Sequence, residues 1–332
     1  MTETLVAADP TAEFEQHRVG LTGYCYRMLG SSFEAEDAVQ ETMLRAWKAQ
    51  DSFEGRSSLK SWLYRIATNV CFDMLTARQK RARPMDLGPC SQALDALAAP
   101  TAETVWVEPS VDARTLPGVV DPAEAAMAKE SVRLAFVAAL QKLPPRQRAV
   151  LLLREVLRWS AAEVAELLGT SVASVNSALQ RARATLDGSP VTEAETLEPT
   201  DAAQRELLER YLDAFTRYDI AGLVKLLHED ATMCMPPYPM WLSGPDQVYA
   251  WMTGPGSQCE GSRVVPVRAN GMPAFAQWRR TEDKTSYYPW AIHVLEVRDG
   301  RIVGLNFFLD AGRLFPLYGL PQQPDDLQVP PA

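Results

Sequence analysis

Residues 57–83 read SSLKSWLYRIATNVCFDMLTARQKRAR. The stretch gathers six cations (Lys60, Arg65, Arg78, Lys80, Arg81, Arg83) against one acid, Asp73, and Arg56 precedes it, in a chain whose formal charge is −9. Trp62, Tyr64 and Phe72 recur at helical spacing among those charges. Cations track phosphates and rings stack on unpaired bases, so this composition suits an opened nucleic-acid strand. The same stretch reads as a helix with Leu59, Trp62, Leu63, Ile66, Ala67 and Val70 on an apolar stripe and Tyr64, Arg65, Thr68 and Phe72 on the other side. Just upstream, EAEDAVQETMLRAWK (34–48) predicts a helix that buries Val39, Met43, Ala46 and Trp47 and projects Asp37, Gln40 and Glu41 elsewhere.

Charge is sorted by segment along the chain. Residues 84–127 hold seven acids (Asp86, Asp95, Glu103, Glu108, Asp112, Asp121, Glu124) against Arg114 alone. Their periodicity is poor, which predicts an acidic linker with little core of its own. Residues 128–187 return to helical periodicity. There Ser160 is placed to cap a helix carrying Val164, Leu167 and Leu168, Gly169 allows a tight turn, and Ser171 starts a further helix. In that helix Val172, Val175, Leu179, Ala182 and Leu186 recur at spacings of three and four, which is one buried face. Ser177, Gln180, Arg181 and Ala184 lie opposite, flanked by Asn176 and Arg183. Short helix, glycine turn and amphipathic helix with a polar, basic outer face predict a helix-turn-helix whose second helix fits the major groove.

At 332 residues the chain needs two or three domains, and an apolar fraction of 47% supplies packed cores. The acidic total argues against a generic DNA-coating protein. Cysteines 25, 71, 90, 234 and 259 are scattered without a CxxC pair, which fits reduced thiols and no metal framework. The start of the chain lacks a signal-peptide pattern, and no apolar run approaches the roughly 18 residues of a membrane span. A cytoplasmic protein without membrane contact is expected.

Segments 34–48, GRSSLKSWLYRIATNVCFDMLTARQKR (55–81) and PPRQRAVLLLREVLRWSAAEVAELLGTSVASVNSALQRARATL (144–186) together resemble the bacterial extracytoplasmic-function sigma factors, in order and in spacing. The resemblance implies a sigma region 2 over 11–83, a linker over 84–127 that threads polymerase channels, and a sigma region 4 over 128–187. It implies core RNA polymerase as partner, through the clamp helices of the beta-prime subunit and the flap of the beta subunit, together with promoter DNA. By position, Asp37, Gln40 and Glu41 would meet the clamp helices. The loop Gly55–Lys60, with Arg56, Ser57, Ser58 and Lys60, would trap a base flipped from the −10 element, and Asn69 would touch adjoining DNA. Tyr64, Arg65 and Phe72 are left between DNA contact and a packed face. Arg78, Lys80, Arg81 and Arg83 fall where phosphates would be held. Asn176, Ser177, Gln180 and Arg181, with Arg183 beside them, fall where the −35 element would be read. Relatives commonly carry Lys or Arg at the positions of Asn176 and Ala178, so this chain brings fewer cations to the groove.

After a second linker (188–200), residues 201–321 combine two helices (204–217, 219–228) with short β-type runs. Asp299-Gly300 is a hairpin signal, and an antiparallel curved α+β sheet is expected. RELLERYLDAFTRYDIAGLVKLLHEDATMCMPP (205–237) and WLSGPDQVYAWM (241–252) resemble the SnoaL-like branch of the NTF2-like fold, a cone around a pocket. A Pro-rich tail (322–332) follows. Candidate pocket residues are Tyr211, Trp241, Trp251, Trp278, Tyr287, His293, Phe307 and Asp310, and a small-molecule ligand there would tune activity. No catalytic residue, cofactor or metal is expected. The fold class is thus multidomain: two all-α sigma domains followed by an α+β domain. A ligand-sensing regulator that binds DNA without polymerase, or an enzyme domain tethered to a sigma module with His293 and Asp310 as an acid–base pair, are the alternatives.

Overall fold

The computed structural model describes residues 10–53, 55, 57–76, 80–118, 122–187 and 201–326. They fall into two compact units, one drawn from residues 1–80 and 113–191, the other from 81–112 and 192–332. The expected linker of 188–200 and the tail from 327 lie outside the described residues.

The first unit is helical. Helices α1 (Arg18–Leu29), α2 (Ser32–Ala49) and α3 (Leu59–Leu75) precede α4 (Pro122–Val132), α5 (Leu134–Gln141) and α6 (Pro145–Leu151). A π turn at Leu152–Val156 leads to α7 (Ala161–Leu167) and α8 (Val172–Asp187). Serine caps set the starts: Ser31 accepts from the Glu34 N–H at 3.3 Å and Ser58 from Ser61 at 3.1 Å. At α7 the cap is reciprocal, with Glu163 accepting from the Ser160 N–H at 2.7 Å. Gly169, at φ +59°, makes the turn into α8. At Gly23 a Cβ would stand 2.4 Å from the Thr115 carbonyl, so glycine lets that carbonyl close on α1.

Two buried arginines tie the halves of this unit together. Arg27 of α1 donates to the Ser131 hydroxyl at 2.7 and 3.0 Å and to its carbonyl at 3.1 Å. Arg148 of α6 donates to the Met28 carbonyl, to Gln141 Oε1 at 2.6 Å, and to the Gln141 and Leu143 carbonyls at 3.2 and 3.1 Å. Burial pulls both guanidinium pKa values down to about 10, so both stay charged at neutral pH. Met28 lies at the end of α1, where unpaired carbonyls and the helix dipole favour a cation.

The second unit is α+β. Strands β1 (Leu227–Cys234), β2 (Trp241–Ser243), β3 (Arg263–Ala269), β4 (Met272–Arg280), β5 (Tyr287–Arg298) and β6 (Arg301–Phe308) form one sheet in the order β2-β1-β6-β5-β4-β3. The sheet is mixed and not wholly antiparallel, because β1 and β6 run parallel. Their intervening chain supplies the crossover that a parallel pair requires. Asp299 and Gly300 both take positive φ (51° and 67°), the type I′ pattern expected of that hairpin. Helix α9 (Ala202–Thr216) sets Tyr211 and Phe215 against Phe275, Leu295 and Phe307 in one apolar core. α10 (Ile220–Val224) and α11 (Pro245–Thr253) extend it. α12 (Ala311–Leu317) brings Phe315 edge-on to Trp278, ring centroids 4.9 Å apart.

The expected acidic linker is only partly a linker. Residues 81–112 belong to this second unit, and 113–118 with α4 belong to the first. Backbone bonds run from Ser91 to the Trp241 carbonyl (2.8 Å), from Thr101 to Pro237 (2.9 Å) and from Asn270 to Ser110 (3.1 Å). Ala93 joins the core, and Trp106 and Val107 are buried. Arg83 approaches the buried carboxylate of Glu296 at 4.0 Å. The strap has no period of its own because each anchor meets a different part of the domain. Sequence periodicity does not register such a segment.

Candidate nucleic-acid and polymerase interface

On α2, Asp37 and Gln40 are exposed and Glu41 is partly so, where it accepts from Arg45 at 2.7 Å. Arg45 also reaches Asp73 at 3.1 Å. The helix continues this face with Leu44 and Trp47, which are 45% and 55% exposed. Trp47, expected in the apolar face, is therefore a surface residue. At 3.6 residues per turn it sits about 80° from Val39 and only about 20° from Gln40. Sequence reading missed the stripe Asp37–Gln40–Leu44–Trp47, although its spacing of 3, 4 and 3 was visible.

Region 57–83 is divided by the fold. Ser58, Lys60 and Asn69 are exposed and Ser57 is half-buried. Trp62 is half-buried, packed between Phe14 and Phe53. Tyr64, at 2% exposure, is a packed core residue in this arrangement and not on the open face that a DNA contact requires. Its ring packs between Tyr24 (5.3 Å) and Trp159 (5.4 Å), because the helix-turn-helix covers that side of α3. Arg65 reaches Glu166 of α7 at 3.4 Å. Lys80 is exposed and donates to the Lys142 carbonyl at 3.1 Å. Arg81 is likewise corrected: it is buried in the second unit and donates to the Trp106 carbonyl at 2.6 Å and the Glu103 carbonyl at 2.9 Å. Arg83 is turned toward Asp86 and Glu296. Arg56 and Arg78 lie outside the described residues.

The α8 face is intact. Val175, Ala178, Leu179 and Ala182 are buried, while Asn176, Ser177, Gln180, Arg181 and Arg183 are exposed. Val172, expected to be buried, is 44% exposed at the first turn. Arg183 pairs with Glu155 at 2.7 Å.

In the second unit the candidate pocket residues do not converge. His293 is fully buried, its Nε2 2.7 Å from Gln277 Oε1 and its Nδ1 3.2 Å from the Tyr211 hydroxyl. Phe307 and Phe215 pack edge-on against the ring at 4.4 and 5.1 Å. Burial pushes its pKa down to about 3, so the imidazole is neutral across the physiological range. Both ring nitrogens are taken, and Asp310 instead pairs with Arg313 at 3.1 Å, so no His293–Asp310 acid–base pair forms. Burial raises the Asp310 pKa, and Arg313 opposes that rise. Trp278 lies against Phe315, away from His293, and donates to the Pro321 carbonyl at 3.2 Å. Trp241 donates to the Gly88 carbonyl of the strap at 2.9 Å, and Trp251 is buried in α11. Tyr287 carries Arg263 over its ring at 5.2 Å. Tyr211, His293 and Phe307 thus meet as packed core.

Among the described residues no helix is long and apolar enough to cross a membrane. A profile of sigma-70 region 2 matches residues 14–81, one of sigma-70 region 4 matches 133–186, and one of the SnoaL-like domain matches 208–305. The ECF RNA polymerase sigma factor SigG of Mycobacterium tuberculosis is 44% identical over 319 residues, covering 94% of this chain and 84% of its own. SigJ of the same species is 31% identical over 222 residues, covering 67% and 63%. The crystal structure of SigJ superposes with a TM-score of 0.60 at 24% identity, over 93% of this chain and 99% of that one, so the fold is shared. With matches to sigma-70 regions 2 and 4 and 44% identity to SigG over 94% of its length, the chain belongs to the ECF sigma factors of RNA polymerase, with a SnoaL-like domain fused behind region 4.

Proposed function

We propose that this sigma factor rests closed and reads its promoter only after core polymerase parts region 2 from region 4. The observation that carries this reading is the packing of Tyr64 and Arg65 against Trp159 and Glu166. Promoter elements at −10 and −35 are separate sites on the duplex, so region 2 and region 4 must part to hold both. The Asp37–Gln40–Leu44–Trp47 stripe would dock on the clamp helices of the beta-prime subunit, and region 4 on the flap of the beta subunit. A polar start (Asp37, Gln40) followed by two exposed apolar side chains (Leu44, Trp47) suits such an interface. Ser58, Lys60 and Asn69 would then face the opened −10 strand, and Gln180 and Arg181 the −35 groove.

The SnoaL-like domain acts as a regulator and not as an enzyme. His293, the candidate base, is neutral, buried and hydrogen-bonded on both sides, which leaves it no substrate proton to move. The domain's means of regulation is the strap 81–112, which connects region 2 to region 4 and is held on its own sheet. The test is run-off transcription with core polymerase. The full chain should initiate from a defined start, and a form ending at residue 200 should initiate from the same start with altered output. Transcription no better than core alone would defeat the reading, and unchanged output from the truncated form would defeat the regulatory role.

A further inference from the structure

The second unit carries a surface cavity that the packed interior around His293 does not use. It lies between α9 and the β3–β4 ribbon and has a volume of about 360 Å³. Leu208, Leu212, Pro266, Val267, Pro273 and Phe275 form its walls. Phe275 is buried in the domain core, and Leu208 and Leu212 pack on that core from its margin. The mouth holds Arg205 of α9 and Arg268 of β3, both exposed, with Glu209 beside them. Among the described residues neither guanidinium has an ion-pair partner. Glu209, one turn from Arg205, is not paired with it, although that spacing normally permits a pair.

Each part of this arrangement restricts what can occupy it. Apolar walls left in water forgo about 25 cal/mol per Å² of burial, so an apolar body is favoured there. Two unpaired cations at the rim favour an anion at one end of that body. The Glu209 carboxylate opposes a multiply charged ligand such as a nucleotide. At about 30 Å³ per small group the space takes roughly a dozen non-hydrogen atoms, within the range of small-ligand sites. From these we infer that the cavity binds a small amphiphilic monocarboxylate, an acyl chain or aryl-alkyl acid of about ten carbons. Its chain lies along Leu208, Leu212, Val267 and Phe275, and Arg205 and Arg268 share its carboxylate. This deepens the regulatory role proposed for the SnoaL-like domain by giving it a ligand class. Binding is read without polymerase, so its failure would leave the transcription role standing.

The test is isothermal titration calorimetry on the full chain with sodium decanoate and with 4-phenylbutanoate, each of which has a dozen non-hydrogen atoms. At least one acid should bind saturably at one site. In the double variant R205Q/R268Q its Kd should rise at least tenfold, and decyltrimethylammonium should not bind. Because both arginines are exposed, this variant should keep the parent's melting temperature. A second variant, V267W, fills the cavity and should lose binding while remaining folded. Absence of saturable heat with both acids would overturn the proposal. So would binding unchanged in R205Q/R268Q, equal binding of the cation, or retained binding in folded V267W.

Discussion

The His293 imidazole is placed where protonation is costly, in contact with Phe215 and Phe307 and far from water. Its ordinary value near 6.5 applies to the unfolded chain, and about 3 applies to the folded one. As pH falls below 6.5 the unfolded chain takes the proton first. The stability this histidine contributes is therefore complete above 6.5 and is lost progressively toward pH 3. At about 1.4 kcal/mol per pH unit, the second unit should lose about 2 kcal/mol between pH 6.5 and 5. Calorimetric melting of the full chain checks this. His293→Gln should melt lower at pH 7.5 yet show a flatter dependence over that interval, and an equally steep one would contradict the assignment. The histidine was legible in sequence as a strand residue with a core-like setting, but its partners Gln277 and Tyr211 were not. They come from another strand and from α9, and only the register of β4 on β5 brings them together. Arg81 teaches the same lesson in reverse. Its charge suggested a phosphate, whereas two backbone carbonyls hold it.

Helices were read well where one face decided them. In α8 the spacing of Val175, Leu179 and Ala182 predicts the buried side, and the exposed side follows. On α8, Gln180→Ala or Arg181→Ala should weaken discrimination among −35 sequences by about 1–3 kcal/mol per contacted base. Arg183→Ala should weaken binding to all sequences alike and reduce its salt dependence. Competition binding of polymerase holoenzyme to promoters varied at −35 separates the two; uniform losses for Gln180 or Arg181 would sink the base-reading role. On α2 the boundary between faces was misjudged at Trp47, because an aromatic ring counts as apolar wherever it stands. Trp47→Ala should lower affinity for core polymerase at least tenfold, because exposed tryptophans at interfaces often dominate binding. It should leave the melting temperature almost unchanged, since the ring is 55% exposed. Undiminished core binding would show that the stripe is an ordinary surface.

At the scale of the molecule, the order of the helical units and the α+β character of the third were both legible from periodicity and glycine turns. Two things were not. The strap 81–112 looked like a tether because its anchors, Ala93, Trp106 and Val107, follow no period. The covering of α3 by the helix-turn-helix was hidden because Tyr64 and Trp159 lie 95 positions apart and either could have faced solvent. Arg27 and Arg148 hold that closed arrangement through carbonyl and hydroxyl oxygens, without a carboxylate among their hydrogen-bond partners described above. A buried charge without a counter-ion is weakly compensated, which suits an interface that has to open. The most direct measurement is transcription from a factor locked shut. In a background lacking Cys90, the pair R65C/E166C is bridged by a reducible bis-methanethiosulfonate linker that spans the contact between α3 and α7. With core polymerase, the linked form should fail to initiate at the promoter and the reduced form should recover activity. Equal activity of the two forms, with the crosslink verified as complete, would contradict the claim that region 2 and region 4 must part.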